Sequence, residues 1–357
     1  MSAARKIIHV DMDAFFASVE IRDCPALADQ CVAVGGAPAR RGVIATCNYA
    51  ARAQGIHAAM SSKRAMILCP DLQIIPTNMP KYKVASQAIH DIFERYSPRV
   101  EAVGLDEAYL DVTEATACQG VAAEIAQEIC QAILDEVGLA ASAGVSVNKM
   151  LAKMASARNK PKGLCVIKPH QIQDFMGRLP VAQLPGVGPV RQRELSAMGI
   201  ETCGDLQRFS RAVFLTQWGR FGETLYAYAR GMDDRPVLAD RVRRAVSVET
   251  TFGHDIGSVS ELQPLMAKLR AELMARIDAL GVEEAIRGVF VKVKFSDFKQ
   301  TTAECSTAYL APSVIDALMK RARERHAQAV RLLGLGVRLG SAQHAACQQM
   351  NFDFMAE

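Results

Sequence analysis

The chain of 357 residues is predicted to be an α+β protein of several domains. Three observations carry that prediction. Residues 6–147 run strand, insertion, helix, strand, strand, helix, strand, a ferredoxin-like βαββαβ order with an insertion after its first strand. Residues 243–339 show a second βαββαβ order that is expected to echo the first in topology, without repeating the sequence. Between them the pattern turns helical, and at about 150 residues per domain the length accommodates all three parts.

The elements follow in order. Residues 6–10 form a short apolar run, read as a buried strand, with Asp11-Met12-Asp13 at its end. Residues 32–34 and 43–45 are brief strands around a turn containing Gly and Arg, and 72–75 is another, bounded by Pro70 and Pro76. Tyr82, Ala85, Ile89, Ile92, Phe93 and Tyr96 recur at helical spacing over 81–96, and Pro98 stops them. Residues 100–112 read strand–turn–strand, with Gly104-Leu105-Asp106-Glu107 at the turn. Val121, Ile125, Ile129, Ile133 and Val137 line one face of a helix over 119–137. A strand over 140–147 and the start of a helix over 148–157 follow. Residues 170–232 are helical, and 231–242 is charged and unpatterned, the composition of a linker. Then come a strand at 243–252, a helix at 258–280, strands at 286–296 and 299–310, a helix at 313–329 and a strand at 331–339. From Gln343 onward no core pattern is visible.

Composition removes several classes. Apolar residues make up 50% and charged residues 22%, ordinary globular usage. No apolar run approaches the ~18 residues that span a bilayer. Only residues 7–10 separate the basic N-terminus from Asp11, too few for the apolar region of a signal peptide. The ten cysteines are scattered without a C-x-x-C pair, and so read as reduced thiols in a cytoplasmic protein rather than as disulfides or a zinc site. The formal charge of +4 is modest, but the excess is densest over 240–341, as in a module that meets a polyanion.

Chemistry concentrates in the acidic residues. In a βαββαβ sheet the first strand is central and adjoins the hairpin of the next two, so Asp11 faces Asp106 and Glu107 across adjacent strand ends. Three carboxylates so close repel one another unless a cation neutralises them. An all-oxygen set without His or Cys favours Mg²⁺ or Mn²⁺, and two such ions about 3.5–4 Å apart can serve phosphoryl transfer. Cations for a triphosphate are also present: Tyr49 and Arg52 lie three apart on one helical face, and Lys160 sits in the turn Asn159-Lys160-Pro161-Lys162-Gly163. Phe15 and Phe16 follow the acidic pair directly, and one ring can floor a nucleotide sugar where no 2′-hydroxyl fits.

At these residues the chain resembles the Y-family DNA polymerases, and their bacterial branch in particular. The matching stretches are His9-Val-Asp-Met-Asp-Ala-Phe-Phe16, residues 41–52, Leu105-Asp-Glu-Ala-Tyr-Leu-Asp111, residues 142–146, 151–156 and 159–161, and Leu184-Pro-Gly-Val-Gly188. The resemblance implies a right-hand polymerase: a palm (1–13 and 79–168), inserted fingers (14–78), a helical thumb (169–231), a linker (232–242) and a little finger (243–341). It implies Asp11, Asp106 and Glu107 as metal carboxylates, with the Met12 carbonyl as a further contact. It implies two Mg²⁺ ions per site, replaceable by Mn²⁺. Phe16 matches the steric gate, and Phe15, Tyr49, Arg52 and Lys160 match triphosphate contacts. Gly104 and Ala45-Thr46-Cys47 depart from the commoner Ser and Ser-Thr-Ala, which bears on contacts to the nascent base pair.

The expected activity is template-directed addition of dNTPs to a primer, across damaged bases and with low fidelity. No second acidic cluster is available for proofreading. The expected role is damage tolerance and untargeted mutagenesis by a monomer. Gly186 and Gly188 let backbone amides approach a DNA phosphate in a helix–hairpin–helix turn. Lys292 and Lys294 lie on the face of a strand opposite Val289, Val291, Val293 and Phe295, and would lie along primer-template DNA. Gln349, Met350, Phe352 and Phe354, within the tail 342–357, resemble a peptide that docks on the bacterial sliding clamp. The rival readings are a nucleotide cyclase, for which the thumb and basic module have no purpose, and a non-enzymatic DNA binder, against which the intact carboxylates speak.

Overall fold

The computed structural model describes residues 4–239 and 242–340. Tertiary contacts divide the chain into two compact units, one of residues 1–34, 45–58 and 68–239, the other of 35–44, 59–67 and 240–357.

In the first unit, β1 (Ile7–Met12) is followed by α1 (Phe15–Asp23) and the short strands β2 (Val32–Gly35) and β3 (Ile44–Cys47). Then come α2 (Tyr49–Ala53), α3 (Ser62–Leu68), whose first six residues cluster with the second unit, and β4 (Gln73–Ile75). The chain continues through α4 (Met79–Glu94), β5 (Val100–Ala102), β6 (Glu107–Asp111), α5 (Ala122–Val137), β7 (Ala141–Ser146), α6 (Lys149–Arg158) and β8 (Leu164–Val166). The main sheet has the order β5-β6-β1-β7-β8, so the expected central first strand is present. β8 is an addition that the sequence pattern does not announce, a three-residue strand parallel to β7.

Alternation along β1 sorts its side chains. Ile8, Val10 and Met12 point into a core with Tyr82, Ile89 and Phe93 of α4 and Ile125, Ile129 and Ile133 of α5. Both helices carry their apolar residues at the spacing that buries one stripe on a sheet face. Ile7 lies on the opposite face, with Tyr109, Ala152 of α6 and Val237. Four further helices, α7 (Ile172–Arg178), α8 (Pro189–Ala197), α9 (Cys203–Gln207) and α10 (Arg211–Ala229), close around Leu195, Leu206, Phe214 and Leu225 and reach Met150 and Leu151 of α6.

The stretch expected to be a plain linker is partly otherwise. Residues 232–239 are strapped onto the first unit. Asp233 is buried, and its carboxylate accepts hydrogen bonds from Met150 N at 3.0 Å and from Arg235 Nε and Nη2 at 2.8 Å. The Arg5 guanidinium donates to the carbonyls of Asp233 and Arg235. Val237 is buried, and Glu101 joins Lys149 Nζ to Leu238 N. The charged composition that suggested a linker here includes a bonded anchor, because the Asp233 carboxylate meets the Met150 amide of α6 and Arg235, and the Leu238 amide meets Glu101 of β5.

The second unit contains β9 (Ala245–Ile256), α11 (Val259–Asp278), β10 (Ile286–Phe295), β11 (Gln300–Cys305), α12 (Pro312–Arg323) and β12 (Val330–Leu339). The βαββαβ element order is as expected. The sheet order is β11-β10-β12-β9, so the echo of the first module stops at element order: here the first strand lies at an edge. Strand apolarity accounts for this, since β12 is the most continuously buried strand and takes an interior place. The core contains Leu262, Leu269 and Leu273 of α11, Ile315 and Leu318 of α12, and Val289, Val291, Val293 and Phe295 of β10. No helix among the described residues is long and apolar enough to cross a membrane.

Candidate active site

Strand register brings the acidic residues together. Asp11 is paired with Glu107 across β1 and β6, and Met12 N donates to the Asp106 carbonyl at 2.9 Å. Burial, together with the charges of Asp11 and Glu107, raises the pKa of Asp106 above the usual carboxylate range. Glu107 moves the other way, to about 2, chiefly through His9, with burial opposing and Lys153 assisting. The Lys153 ammonium lies against Glu107 Oε2.

A second lysine sits on the other carboxylate. Lys160 Nζ donates to Asp11 Oδ1 at 2.6 Å and to the Met12 carbonyl at 3.2 Å, and it approaches Asp13 Oδ1 to 3.4 Å. Cationic lysines therefore stand against the very oxygens that would bind a metal. The donors present, three carboxylates and a carbonyl, are hard oxygens with unbalanced negative charge at Asp106, and this set fits Mg²⁺ or Mn²⁺.

The other expected residues assemble around this cluster. α2 begins at Tyr49 because Asn48 caps it, its side chain accepting from Ala51 N. The Arg52 guanidinium packs over the Tyr49 ring at 4.7 Å, and its Nε donates to the Cys47 carbonyl at 3.2 Å, so the three-residue spacing gives one shared face. The Tyr49 hydroxyl donates to Asp13 Oδ1 at 3.2 Å; burial and the Asp13 charge push its pKa up to about 12. Phe15 is buried in the core, whereas Phe16 is half-buried and stacks on Tyr82 with ring centroids 4.2 Å apart. Tyr82 is itself fixed by donating to Glu20 Oε1 at 2.6 Å.

Three residues at the site carried no role in the sequence reading. Asp13 is buried and accepts from Ser142 Oγ at 2.9 Å and Lys162 N at 2.7 Å as well as from Tyr49. His9 is fully buried with Nε2 3.2 Å from Glu107 Oε2, and Lys153 covers the same carboxylate. The one signal for His9 was its period-two spacing from Asp11. Of the departures noted, Cys47 is buried with its thiol donating to the Ile56 carbonyl, so it faces inward. A side chain at Gly104 would come within 3.2 Å of Asp106 Oδ1.

Away from the cluster, Gly186 has φ +89° and faces the Phe221 ring, so its backbone requires glycine. Gly188 is the N-cap of α8 with open space where a Cβ would project. On β10, Phe290, Lys292 and Lys294 alternate with buried Val289, Val291 and Val293 as expected. The basic face is partly neutralised, since Lys292 pairs with Glu249 at 2.7 Å and Arg338 with Glu304 at 3.2 Å. Gln349, Met350, Phe352 and Phe354 lie outside the described residues.

A mixed sheet with three carboxylates at adjacent antiparallel strand ends, a four-helix module and a second βαββαβ module together define a nucleotidyl-transferring polymerase. Comparison with known proteins agrees. Residues 10–157 match the impB/mucB/samB family, 182–233 the DNA polymerase-iota thumb domain, and 243–352 the impB/mucB/samB family C-terminal domain. The chain belongs to the Y-family of DNA polymerases, and it is a DNA-directed DNA polymerase of the translesion type. It is 45% identical to DNA polymerase IV of Pasteurella multocida over 348 residues, 96% of this chain and 98% of that one. It is 46% identical to DNA polymerase IV of Legionella pneumophila strain Corby over 339 residues, covering 95% and 96%. Among solved structures, a Y-family DNA polymerase chimera of Dbh and Dpo4 superposes with a TM-score of 0.85 at 27% identity, over 93% of this chain and 98% of that one.

Proposed function

We propose that Asp11, Asp106 and Glu107, with the Met12 carbonyl, hold two Mg²⁺ ions around an incoming dNTP. The observation that carries this is the convergence of three carboxylates on adjacent strand ends with lysine ammonium groups already against two of them. When bound, the ions activate the primer 3′-hydroxyl and neutralise the leaving pyrophosphate. The chain's own residues do the rest. Tyr49, Arg52 and Lys160 grip the triphosphate, with backbone amides near Phe15 assisting. The Phe16 ring, held by Tyr82, closes the space a ribose 2′-hydroxyl would need. Gly186 and Gly188 contact DNA phosphate, and Lys292 and Lys294 follow the duplex backbone. The segments 1–13 with 79–168, 14–78, 169–231 and 243–341 act as palm, fingers, thumb and little finger of a cytoplasmic monomer. Gln349, Met350, Phe352 and Phe354 dock on the sliding clamp. Primer extension with Mg²⁺ and four dNTPs tests the core of the proposal: Asp106→Asn should abolish extension while DNA is still retained. Extension at the wild-type rate would refute it.

A further inference from the structure

Away from the active site, two thiols stand side by side. Cys31 directly precedes β2, and Cys69 directly follows α3. β2 and β4 pair in parallel with Val32 opposite Gln73, and Gln73 N donates to the Cys31 carbonyl at 2.9 Å. Leu72 N donates to the Cys69 carbonyl at 3.1 Å, which folds the turn after α3 back beside the same strand end. Asn48 fixes the residues flanking Cys31: its side chain donates to the Gln30 carbonyl at 2.7 Å and accepts from Val32 N at 3.1 Å. These bonds hold the Cys31 thiol within hydrogen-bond reach of the Cys69 thiol. Both are free thiols, and both line an open cavity of about 520 Å³ with Leu68, Asp71 and Gln73. Cys31 is half-buried, so a small solute reaches it, whereas Cys69 is 8% exposed. Two sulfurs fall short of a tetrahedral zinc site, and among the described residues no third ligand gathers with them.

We propose that Cys31 and Cys69 are a modification site that forms a reversible disulfide when the chain meets a peroxide. The Cys31 thiolate attacks one oxygen of hydrogen peroxide, the O–O bond breaks, and Cys31 becomes a sulfenic acid as water leaves. The Cys69 sulfur then attacks the Cys31 sulfur, the S–O bond breaks, and a second water departs with the Cys69 proton. Two electrons pass from the thiol pair to the peroxide, and a small dithiol returns them when it reduces the bond. Burial, with Cys69 and Asp71 beside it, keeps the Cys31 thiol above its ordinary pKa, so the first step is slow. The second step joins sulfurs already in place, so the sulfenic acid does not accumulate. Residues 32–68 between the two sulfurs carry Tyr49 and Arg52. This stretch leaves the first compact unit after Val34 and finally rejoins it at Leu68, so the disulfide ties it at its two ends.

The test treats the full-length protein with hydrogen peroxide, alkylates the remaining thiols and digests it without reduction for mass spectrometry. A peptide pair joined through Cys31 and Cys69 is expected, lighter by two hydrogens than the separate peptides and released by dithiothreitol. Cys69→Ser should strand Cys31 as a sulfenic acid that dimedone traps, and Cys31→Ser should leave Cys69 a thiol. In the oxidised chain the amides of Leu72 and Gln73, bonded to the two cysteine carbonyls, should exchange about tenfold more slowly and recover on reduction. Both cysteines still alkylated after other thiols of the chain have oxidised overturns the inference. So does Cys31 recovered as an unlinked sulfinic acid; both outcomes are read on the unmutated chain and need neither variant to fold. A cross-link that leaves exchange at Leu72 and Gln73 unchanged overturns the tethering.

Discussion

Asp13→Asn is the most informative substitution, because it changes one atom in a buried hub without changing its volume. The carboxylate receives Ser142 Oγ at 2.9 Å, Tyr49 OH at 3.2 Å and Lys162 N at 2.7 Å, with the Lys160 ammonium 3.4 Å away. The hydroxyls can rotate to accept from an amide NH₂, but the Lys162 N–H cannot, so the remaining oxygen must turn to that amide. All three bonds then lose charge assistance, each worth about 1 kcal/mol, for a local cost of roughly 2–3 kcal/mol. Where exchange reports the opening equilibrium, that corresponds to roughly 30- to 150-fold faster exchange of the amides of Lys160, Lys162 and Gly163. Hydrogen–deuterium exchange by mass spectrometry reads this directly. Since Tyr49 and Lys160 are placed through Asp13, the KM for dNTP in single-nucleotide incorporation should rise more than kcat falls. Unchanged protection at 160–163 together with an unchanged KM would refute the reasoning.

Further outcomes follow from other parts of the chain. Phe16→Ala should admit ribonucleotides in primer extension, because the stacked ring fills the floor beside Tyr82; undiminished discrimination would remove Phe16 from that role. Burial opposes ionisation of Asp233, but Arg235 and the Met150 amide outweigh it and hold the carboxyl below its ordinary value of 3.8. Its contribution is thus fully present above that value and lost as pH falls through the lower folded pKa. Asp233→Asn should cost about 1–3 kcal/mol at neutral pH, and the gap to wild type should narrow in urea unfolding as pH drops below about 4. Deleting 349–354 should abolish stimulation by the sliding clamp and spare basal extension; equal stimulation of the shortened chain would sink the docking role.

The carboxylate pairing was legible because two separate cues agreed. Asp11 ends an apolar run, Asp106-Glu107 marks a hairpin turn, and a βαββαβ sheet makes their strands neighbours. Asp13 was less legible. Period-two alternation would put it beside Asp11, but β1 ends at Met12 and Ala14 takes a left-handed conformation at φ 52°, which turns Asp13 inward to Ser142. The helix expected over 313–329 stops at Arg323, since its apolar stripe ends with Ala322. The strap at 232–239 was invisible for a related reason. Its anchors are one carboxylate and one valine, and a single buried residue among charges leaves no periodic trace.

The electrostatics of the cluster explain how such a site folds before it meets a cofactor. Three carboxylates on adjacent strand ends would oppose one another if all were bare. The chain divides the problem. Glu107 is drawn down by His9 and Lys153, Asp11 is held by Lys160, and Asp106, raised by burial and its neighbours, keeps its proton to a higher pH. The same arrangement makes the lysines transferable. Lys160 is 18% exposed and rests on Asp11 through its ammonium alone, so a triphosphate arriving with its own divalent ions offers it a richer anion. Were a divalent ion to take that ammonium's place on Asp11, Lys160 would still have the Met12 carbonyl at the same strand end as a partner. If Lys160 grips the triphosphate as proposed, the counter-charge that steadies Asp11 would also be a substrate contact, and Lys160→Ala should impair nucleotide affinity and local stability together.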